Sequence, residues 1–235
     1  MSKYKFLIFD LGDVLFSWSS TTTTTISPRA LKAILTSDIW LDYERGIFTE
    51  DECYSQIATR FSLNISEVSE AFQQARESLV ADNTLTTLIN ELKAHSEEQL
   101  HIFAMSNISK PDYVFLRTRP ADWGIFEKVF TSADAGMRKP DLCFYEHVLQ
   151  AIDAAPAHTI FVDDKLENVR SAQALGIEGI VFDDVASLSR KLKDLLAIPV
   201  QADAGLRTVE DAYLADKDQQ EGNKENQRAA KISVV

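Results

Sequence analysis

Reactive side chains follow several short apolar stretches of the sequence. Taken singly, each has an ordinary explanation as a turn residue, a helix cap or a solvated charge. Because the carboxyl ends of parallel strands meet at one edge of a sheet, strands before these positions would bring the side chains together. The residues concerned are Asp10 and Asp13, Ser106 and Asn107, Lys139, and Asp163 and Asp164.

Together, these residue types favour one kind of chemistry. Clustered carboxylates repel one another unless a cation lies among them, and the oxygens of Asp10, Asp163 and Asp164 suit Mg²⁺. The Ser106 hydroxyl and the backbone N–H groups beside it suit phosphate oxygens, and Lys139 would add a positive charge. Because an aspartate can act as a covalent nucleophile, the set predicts metal-assisted phosphoryl transfer through an aspartyl-phosphate.

The elements that must position these residues alternate along the chain. Apolar runs predict strands and the segments between them predict helices, which favours a parallel sheet with helices on both faces. A block with helical periodicity from Pro28 to about Leu92 is interpreted as an inserted lid. Within it, Thr49 and Glu52 form a capping box and Ser66 is a predicted N-cap. The predicted strands are 4–9, 100–105, 129–132, 159–162 and 179–182.

The composition limits the partners that this protein can have. Its 235 residues include 24 Lys and Arg against 36 Asp and Glu, a formal net charge of −12. So negative a surface disfavours nucleic acids and stable membrane association. Two distant cysteines, Cys53 and Cys143, fit reduced thiols, and neither a signal peptide nor a membrane span is recognisable, so we expect a cytoplasmic protein.

Four motifs resemble those of the haloacid dehalogenase-like hydrolases. They are F-D-L-G-D-V-L from Phe9, M-S-N from Met105, G-M-R-K-P-D from Gly136 and F-V-D-D from Phe161. The resemblance covers about residues 3–197. It implies an α/β fold, with a Rossmann-like parallel sheet, helices on both faces and a helical cap inserted after the first strand. The expected boundaries are a catalytic core over 1–16 and 96–199, a cap over 17–95, and a largely disordered C-terminal extension over 200–235.

Two further stretches refine the resemblance. Glu44-Arg45-Gly46, followed by Thr49 to Glu52, is similar to the cap of the branch that contains sugar-phosphate phosphatases and the phosphatase part of epoxide hydrolases. The stretch from Leu11 to Trp18 is similar to fungal dehalogenase-like terpenoid enzymes.

The resemblance also implies a role for each motif residue. Asp10 would be the nucleophile, and Lys139 would be catalytic and would stabilise the transferring phosphate. The phosphate would be held by Ser106, Asn107 and Lys139. The Mg²⁺ ion would be held by Asp10, the backbone carbonyl of Gly12, Asp163 and Asp164.

One position departs from the family pattern. The usual first motif has a second aspartate, two residues after the nucleophile, which serves as general acid and base; here that residue is Gly12. A glycine carbonyl can bind metal but cannot transfer a proton, and we expect Asp13 to point elsewhere. General acid–base catalysis typically contributes ~10²–10⁴-fold, so this departure bears on activity.

Four functions are compatible with these residues. The leading interpretation is a Mg²⁺-dependent phosphatase acting on a small phosphorylated metabolite, with terpenyl phosphates or diphosphates among the substrates considered. Asp163-Asp164-Lys165-Leu166-Glu167 has the form D-D-x-x-E, which suggests instead a sesquiterpene cyclase-type enzyme that ionises a prenyl diphosphate. Dehalogenation by Asp10 would need no metal and would leave Asp163 and Asp164 unexplained. Gly12 alone motivates the fourth hypothesis, a weakly active binding or regulatory protein.

Overall fold

The central strand of the main sheet ends at Phe9, directly before Asp10. The structure, a computed structural model, describes residues 2–96 and 100–198. The strands of the described residues are, in chain order, β1 (Phe6–Phe9), β2 (Phe16–Ser17), β3 (Val80–Ala81), β4 (His101–Ser106), β5 (Lys128–Thr131), β6 (Thr159–Asp163) and β7 (Glu178–Val181). Five of them form a parallel sheet in the order β5-β4-β1-β6-β7. The predicted strands are confirmed to within two residues.

The register of the sheet brings the sequence motifs to one edge. Phe9 pairs with Ala104 on one side and with Val162 on the other. The residues that follow these three positions therefore emerge side by side, which places Asp10 next to Asp163 and near the end of β4.

Helices cover both faces of the sheet. Alternate residues of a strand point to opposite faces, and Leu7 belongs to one apolar cluster while Ile8 belongs to another. The described helices are α1 (Pro28–Leu35), α2 (Asp38–Glu44), α3 (Glu50–Phe61), α4 (Ile65–Glu77), α5 (Asn83–His95), α6 (Lys110–Leu116), α7 (Ser132–Ala135), α8 (Leu142–Ala151), α9 (Leu166–Ala174) and α10 (Val185–Leu195). The predicted fold class is confirmed.

Helices α1 to α4 have an apolar core of their own. Trp40 stacks on Phe72 with ring centroids 4.3 Å apart, and Tyr54 also stacks on Phe72, at 5.5 Å. Strands β2 and β3 pair antiparallel where the chain leaves the sheet and where it returns. We refer to residues 18–79, between these two strands, as the cap.

Helix α5 differs from the predicted division of the chain. The predicted cap over 17–95 includes this helix, but its apolar side chains pack with β1 and β4 in the cluster of the sheet. The packing therefore favours ending the cap near residue 79 and assigning α5 to the core. The side chains concerned are Leu85, Leu88, Ile89 and Leu92.

The predicted helix starts are confirmed in one case and wrong in another. The Thr49 capping box is present, since Thr49 and Glu52 bond to each other's backbone N–H groups. Ser66, however, is not an N-cap: α4 begins one residue earlier, and the side chain of Asn64 accepts the hydrogen bond from the Ser66 N–H. Asn and Ser are almost equally good caps, so their order could not be decided from residue type.

The predicted C-terminal extension over 200–235 lies outside the described residues.

Among the helices that the structure describes, none combines the length and the apolar character that crossing a membrane requires.

Candidate active site

The Lys139 ammonium lies at the centre of the site. Its side chain is buried, and Nζ lies 2.9 Å from Asp10 Oδ1 and 2.7 Å from Asp163 Oδ2. Nζ also donates to the Met105 carbonyl at 2.8 Å, so its three donors have three acceptors. Burial alone would lower the pKa of Lys139, but the Asp10 and Asp163 carboxylates hold it above its ordinary value. The lysine is therefore a fixed positive charge.

Asp10 has one oxygen engaged by the protein and one oxygen without a partner. Oδ1 accepts the Leu11 backbone N–H at 2.7 Å in addition to its contact with Lys139. Oδ2 has no hydrogen-bond partner in the part of the chain that the structure describes, and it is not enclosed by protein atoms. Burial raises the pKa of Asp10 to about 7 against the opposing effect of Lys139, so a bound cation would favour the ionised carboxylate.

Asp163 is occupied on both oxygens. Oδ1 accepts from the Lys165 N–H at 2.8 Å and from Asn168 Nδ2 at 2.9 Å, and Oδ2 accepts from Lys139. Although burial raises its pKa, the Lys139 ammonium and these hydrogen bonds hold the pKa of Asp163 below its ordinary value. Asp163 thus holds Lys139 in place, in addition to any contact with a metal.

Asp164 provides the test of whether a metal fits. Its Oδ1 is buried without a hydrogen-bond partner, and the nearest cation is the half-exposed Lys165 ammonium at 3.6 Å. Burying a polar atom without a hydrogen-bond partner costs free energy, so a ligand bound to this oxygen would stabilise the site. Carboxylate oxygens of Asp10, Asp163 and Asp164 lie within 4.8 Å of one another, which is compatible with one cation among them. This all-oxygen set suits Mg²⁺.

Ser106 and Asn107, two of the three residues predicted to bind phosphate, differ in their surroundings. Ser106 ends β4 at the cavity, and its hydroxyl has no hydrogen-bond partner within residues 2–96 and 100–198. Asn107 is used by the protein: Nδ2 donates to the Lys139 carbonyl and Oδ1 accepts the Lys139 N–H, both at 2.8 Å. The Asn107 side chain therefore holds the Lys139 loop, and Ser106 is the freer donor.

The first-motif loop and the start of α9 also line the cavity. A Cβ built on Gly12 would meet nothing within 4 Å, so the missing carboxylate leaves open space. Asp13, which we expected to point elsewhere, lines this cavity, and its Oδ2 accepts from the Trp18 indole N–H at 3.4 Å. Glu167 lines the cavity but is not part of the carboxylate cluster found among the described residues.

Above these residues lies a cavity of about 600 Å³ between the core and the cap. Most of the surface that lines the cavity is apolar, and both the cap and the core contribute to it. The apolar lining residues are Leu11, Phe16, Trp18, Leu35, Trp40, Leu41, Phe72, Ala75, Leu79, Ile108, Leu116 and Pro140.

The cap is joined to the core directly beside Lys139. Glu44 of α2 accepts two hydrogen bonds from Arg138, at 3.2 and 3.0 Å, and its backbone carbonyl accepts from the Ser132 hydroxyl at 2.6 Å. Arg45 pairs with Asp141 at 3.2 Å. The motif Glu44-Arg45-Gly46 thus contacts the loop that carries the third motif. The sequence contains both motifs but does not pair them, because nothing in it links side chains so far apart.

Comparison with known proteins agrees with this fold. The family model described as haloacid dehalogenase-like hydrolase matches residues 36–182. A magnesium complex of a HAD family enzyme from Bacteroides thetaiotaomicron shares the fold, with a TM-score of 0.64 and 23% identity over 80% of this chain and 99% of that one. The chain belongs to the haloacid dehalogenase-like hydrolases. It is a phosphatase-like hydrolase of this family.

Two relatives are more similar in sequence. The sesquiterpene phosphatase astK of Aspergillus oryzae is 42% identical over 82% of this chain and 97% of its own length. The drimenol cyclase drtB of Aspergillus calidoustus is 43% identical over 83% of this chain, which spans only 37% of that protein.

Proposed function

We propose that this protein is a Mg²⁺-dependent phosphatase that removes phosphate from the monophosphate ester of an apolar, terpenoid-type alcohol. The observation that carries the proposal is that the free oxygen of Asp10 opens to a cavity with a mainly hydrocarbon wall. A sugar phosphate would need polar partners for several hydroxyl groups, whereas a terpenyl group needs apolar surface. The name of the Aspergillus oryzae relative, which matches over nearly its whole length, supports the same substrate class.

The residues would act in two steps. Asp10 Oδ2 attacks phosphorus and the bond from phosphorus to the ester oxygen breaks, which gives an aspartyl-phosphate and an alkoxide that takes a proton from water. Water then attacks phosphorus, the bond to Asp10 breaks, and inorganic phosphate leaves with the carboxylate restored. Lys139 and the Ser106 hydroxyl stabilise the charge on the transferring group.

The metal would complete this arrangement. Asp10, the Gly12 carbonyl, Asp163 and Asp164 would hold Mg²⁺, with Asp164 as the carboxylate most in need of it. When bound, the ion would neutralise charge on the phosphate and on Asp10. The buried Asp164 oxygen, which has no hydrogen-bond partner, also argues against a metal-free dehalogenase, because such an enzyme would leave it without a ligand.

The cyclase hypothesis has less support. It depends on Asp163, Asp164 and Glu167 acting as one metal-binding box. The carboxylate cluster found among the described residues consists of Asp10, Asp163 and Asp164, and Glu167 is not part of it. The relative named as a cyclase is also much longer than the matched region.

A substrate panel tests the proposal. Phosphate release is measured with farnesyl monophosphate, farnesyl diphosphate and glycerol 3-phosphate, with Mg²⁺ and with EDTA, and the organic products are identified. We expect Mg²⁺-dependent release of farnesol from the monophosphate and little turnover of glycerol 3-phosphate. A cyclised product from the diphosphate, or preference for glycerol 3-phosphate, would contradict the proposal. The cytoplasmic location remains part of this proposal.

A further inference from the structure

A second group of polar side chains, whose charged members are partly buried, contributes two residues to the wall of the same cavity. It consists of Arg76 on α4, Glu50 on α3, Asp112 on α6, and the hydroxyls of Tyr43 and Tyr54, and we call it the Arg76 cluster. Arg76 belongs to the cap, whereas Asp112 belongs to the core. Both residues line the cavity that contains Asp10.

Two of the three guanidinium nitrogens of Arg76 donate hydrogen bonds to neighbouring side chains. Nε donates to Asp112 Oδ1, and Nη2 donates to Glu50 Oε1 and, at 3.0 Å, to the Tyr54 hydroxyl. Nη1 has no hydrogen-bond or ion-pair partner in the described part of the chain and is not enclosed by protein atoms. Arg76 lines the cavity, and Nη1 is the nitrogen of this guanidinium that remains available to a ligand.

The charges of the cluster determine what Nη1 can bind. One guanidinium faces two carboxylates, so the cluster has a formal charge of −1 before any ligand arrives. Asp112 is fixed further by the Ser109 hydroxyl. A second phosphate or a carboxylate would meet this net negative charge. A neutral oxygen would not, and it would supply the acceptor that Nη1 lacks.

We propose that Arg76 is a specificity-determining residue, whose Nη1 binds a neutral oxygen, a hydroxyl or a carbonyl, on the hydrocarbon part of the substrate. The ligand class is then the monophosphate of an apolar alcohol that carries a second oxygen away from the phosphate. This inference rests on the proposed function and adds to it the chemistry of the far end of the substrate.

A series of linear substrates tests this without assuming the distance from Asp10 to Arg76. Plain n-alkyl monophosphates of increasing length are compared with ω-hydroxyalkyl monophosphates of the same lengths, by kcat/KM. We expect the hydroxyl to be favoured at one chain length, about 10- to 100-fold over the plain compound, as for a hydrogen bond to a charged group. Arg76→Lys should abolish this preference, and the matched surface variant Arg60→Lys should keep it.

The outcomes separate specificity from structure. A wild-type enzyme with no hydroxyl preference at any length would overturn the inference. So would an Arg76→Lys variant that lowers kcat/KM equally for both series, because a merely structural residue would have that effect.

Binding provides a readout that does not need turnover. If neither series is hydrolysed, the proposed function fails, and the affinities of alkanediols and alkanols, measured by calorimetry, decide on Arg76 separately. Tighter binding of one diol by the wild type but not by Arg76→Lys supports the inference. Equal affinities in the wild type contradict it, whether or not the variant folds.

Discussion

Two clusters, each of one cation with two carboxylates, contribute residues to the same cavity. They are Lys139 with Asp10 and Asp163, and Arg76 with Glu50 and Asp112. The Lys139 side chain is 1% exposed and its three donors are all used, so the group that remains free is a carboxylate oxygen of Asp10. The Arg76 side chain is 18% exposed, its carboxylates are paired, and the free group is a guanidinium nitrogen. In each cluster, the atom without a partner determines the function. That atom is a nucleophile in the first cluster and a hydrogen-bond donor in the second.

The largest expected difference between the clusters is in turnover. Asp10→Asn keeps the shape of the side chain but removes the nucleophile, and we expect phosphate release to fall by on the order of 10⁴-fold or more. Asp112→Asn should reduce release from farnesyl monophosphate by no more than about tenfold, because it only weakens one hydrogen bond to Arg76. The surface variant Asp38→Asn is the control, and circular dichroism checks the fold. Comparable losses in Asp10→Asn and Asp112→Asn would break the distinction.

The next largest difference between the clusters is expected in the free energy of unfolding when the cation of each is replaced. Lys139→Met leaves two buried carboxylates without their cation, and we expect a loss of about 3–5 kcal/mol in the free energy of unfolding. Arg76→Met should cost less, about 1–3 kcal/mol, because Arg76 and Glu50 are partly solvated. Urea denaturation without Mg²⁺ measures both. An Arg76→Met loss as large as that of Lys139→Met would show that solvation does not distinguish the clusters.

The stability loss in Lys139→Met should depend on pH in a defined direction. Without the ammonium, burial raises the pKa of Asp10 further above its unfolded value and raises the pKa of Asp163 from below its unfolded value to above it. A raised carboxyl pKa destabilises the fold above the unfolded pKa, and protonation at lower pH removes that cost. The deficit relative to wild type should therefore be smaller at about pH 5 than at about pH 8. A deficit that grows as pH falls would contradict the assignment of both carboxylates to Lys139.

A smaller effect is expected at Gly12. Open space surrounds a Cβ at this position, so Gly12→Asp should fold and supply a general acid. Turnover of alkyl phosphates should rise by about tenfold, a fraction of what general acids typically contribute. The rate ratio of p-nitrophenyl phosphate to an alkyl phosphate should narrow, because the aryl leaving group needs no proton. Loss of activity in a folded variant would show that the substrate or a water occupies that space.

Most of the core could be predicted from the sequence, but little of how the cap contributes to the site could be. Strand ends and short motifs predicted Asp10, Ser106, Lys139, Asp163 and Asp164 at one edge, because parallel strands force their carboxyl ends together.

The remaining features depend on contacts between distant residues. Asp112 follows Asn107 closely, but its partner Arg76 lies 36 residues earlier on a helix whose orientation no local pattern determines. The hydrogen bonds of Asn107 to the Lys139 backbone likewise depend on how two loops meet. Which of two similar groups is free for a ligand is a property of packing, and residue type does not reveal it.

The most direct test of the central claim is detection of phosphate on Asp10 during turnover. The enzyme with Mg²⁺ is mixed with ³²P-labelled farnesyl monophosphate, quenched rapidly in acid and digested, and the labelled peptide is identified. We expect alkali-labile label on the peptide containing Asp10, no label in Asp10→Asn, and much less label when glycerol 3-phosphate replaces the farnesyl ester. Release of phosphate from farnesyl monophosphate without any label on that peptide would contradict the account.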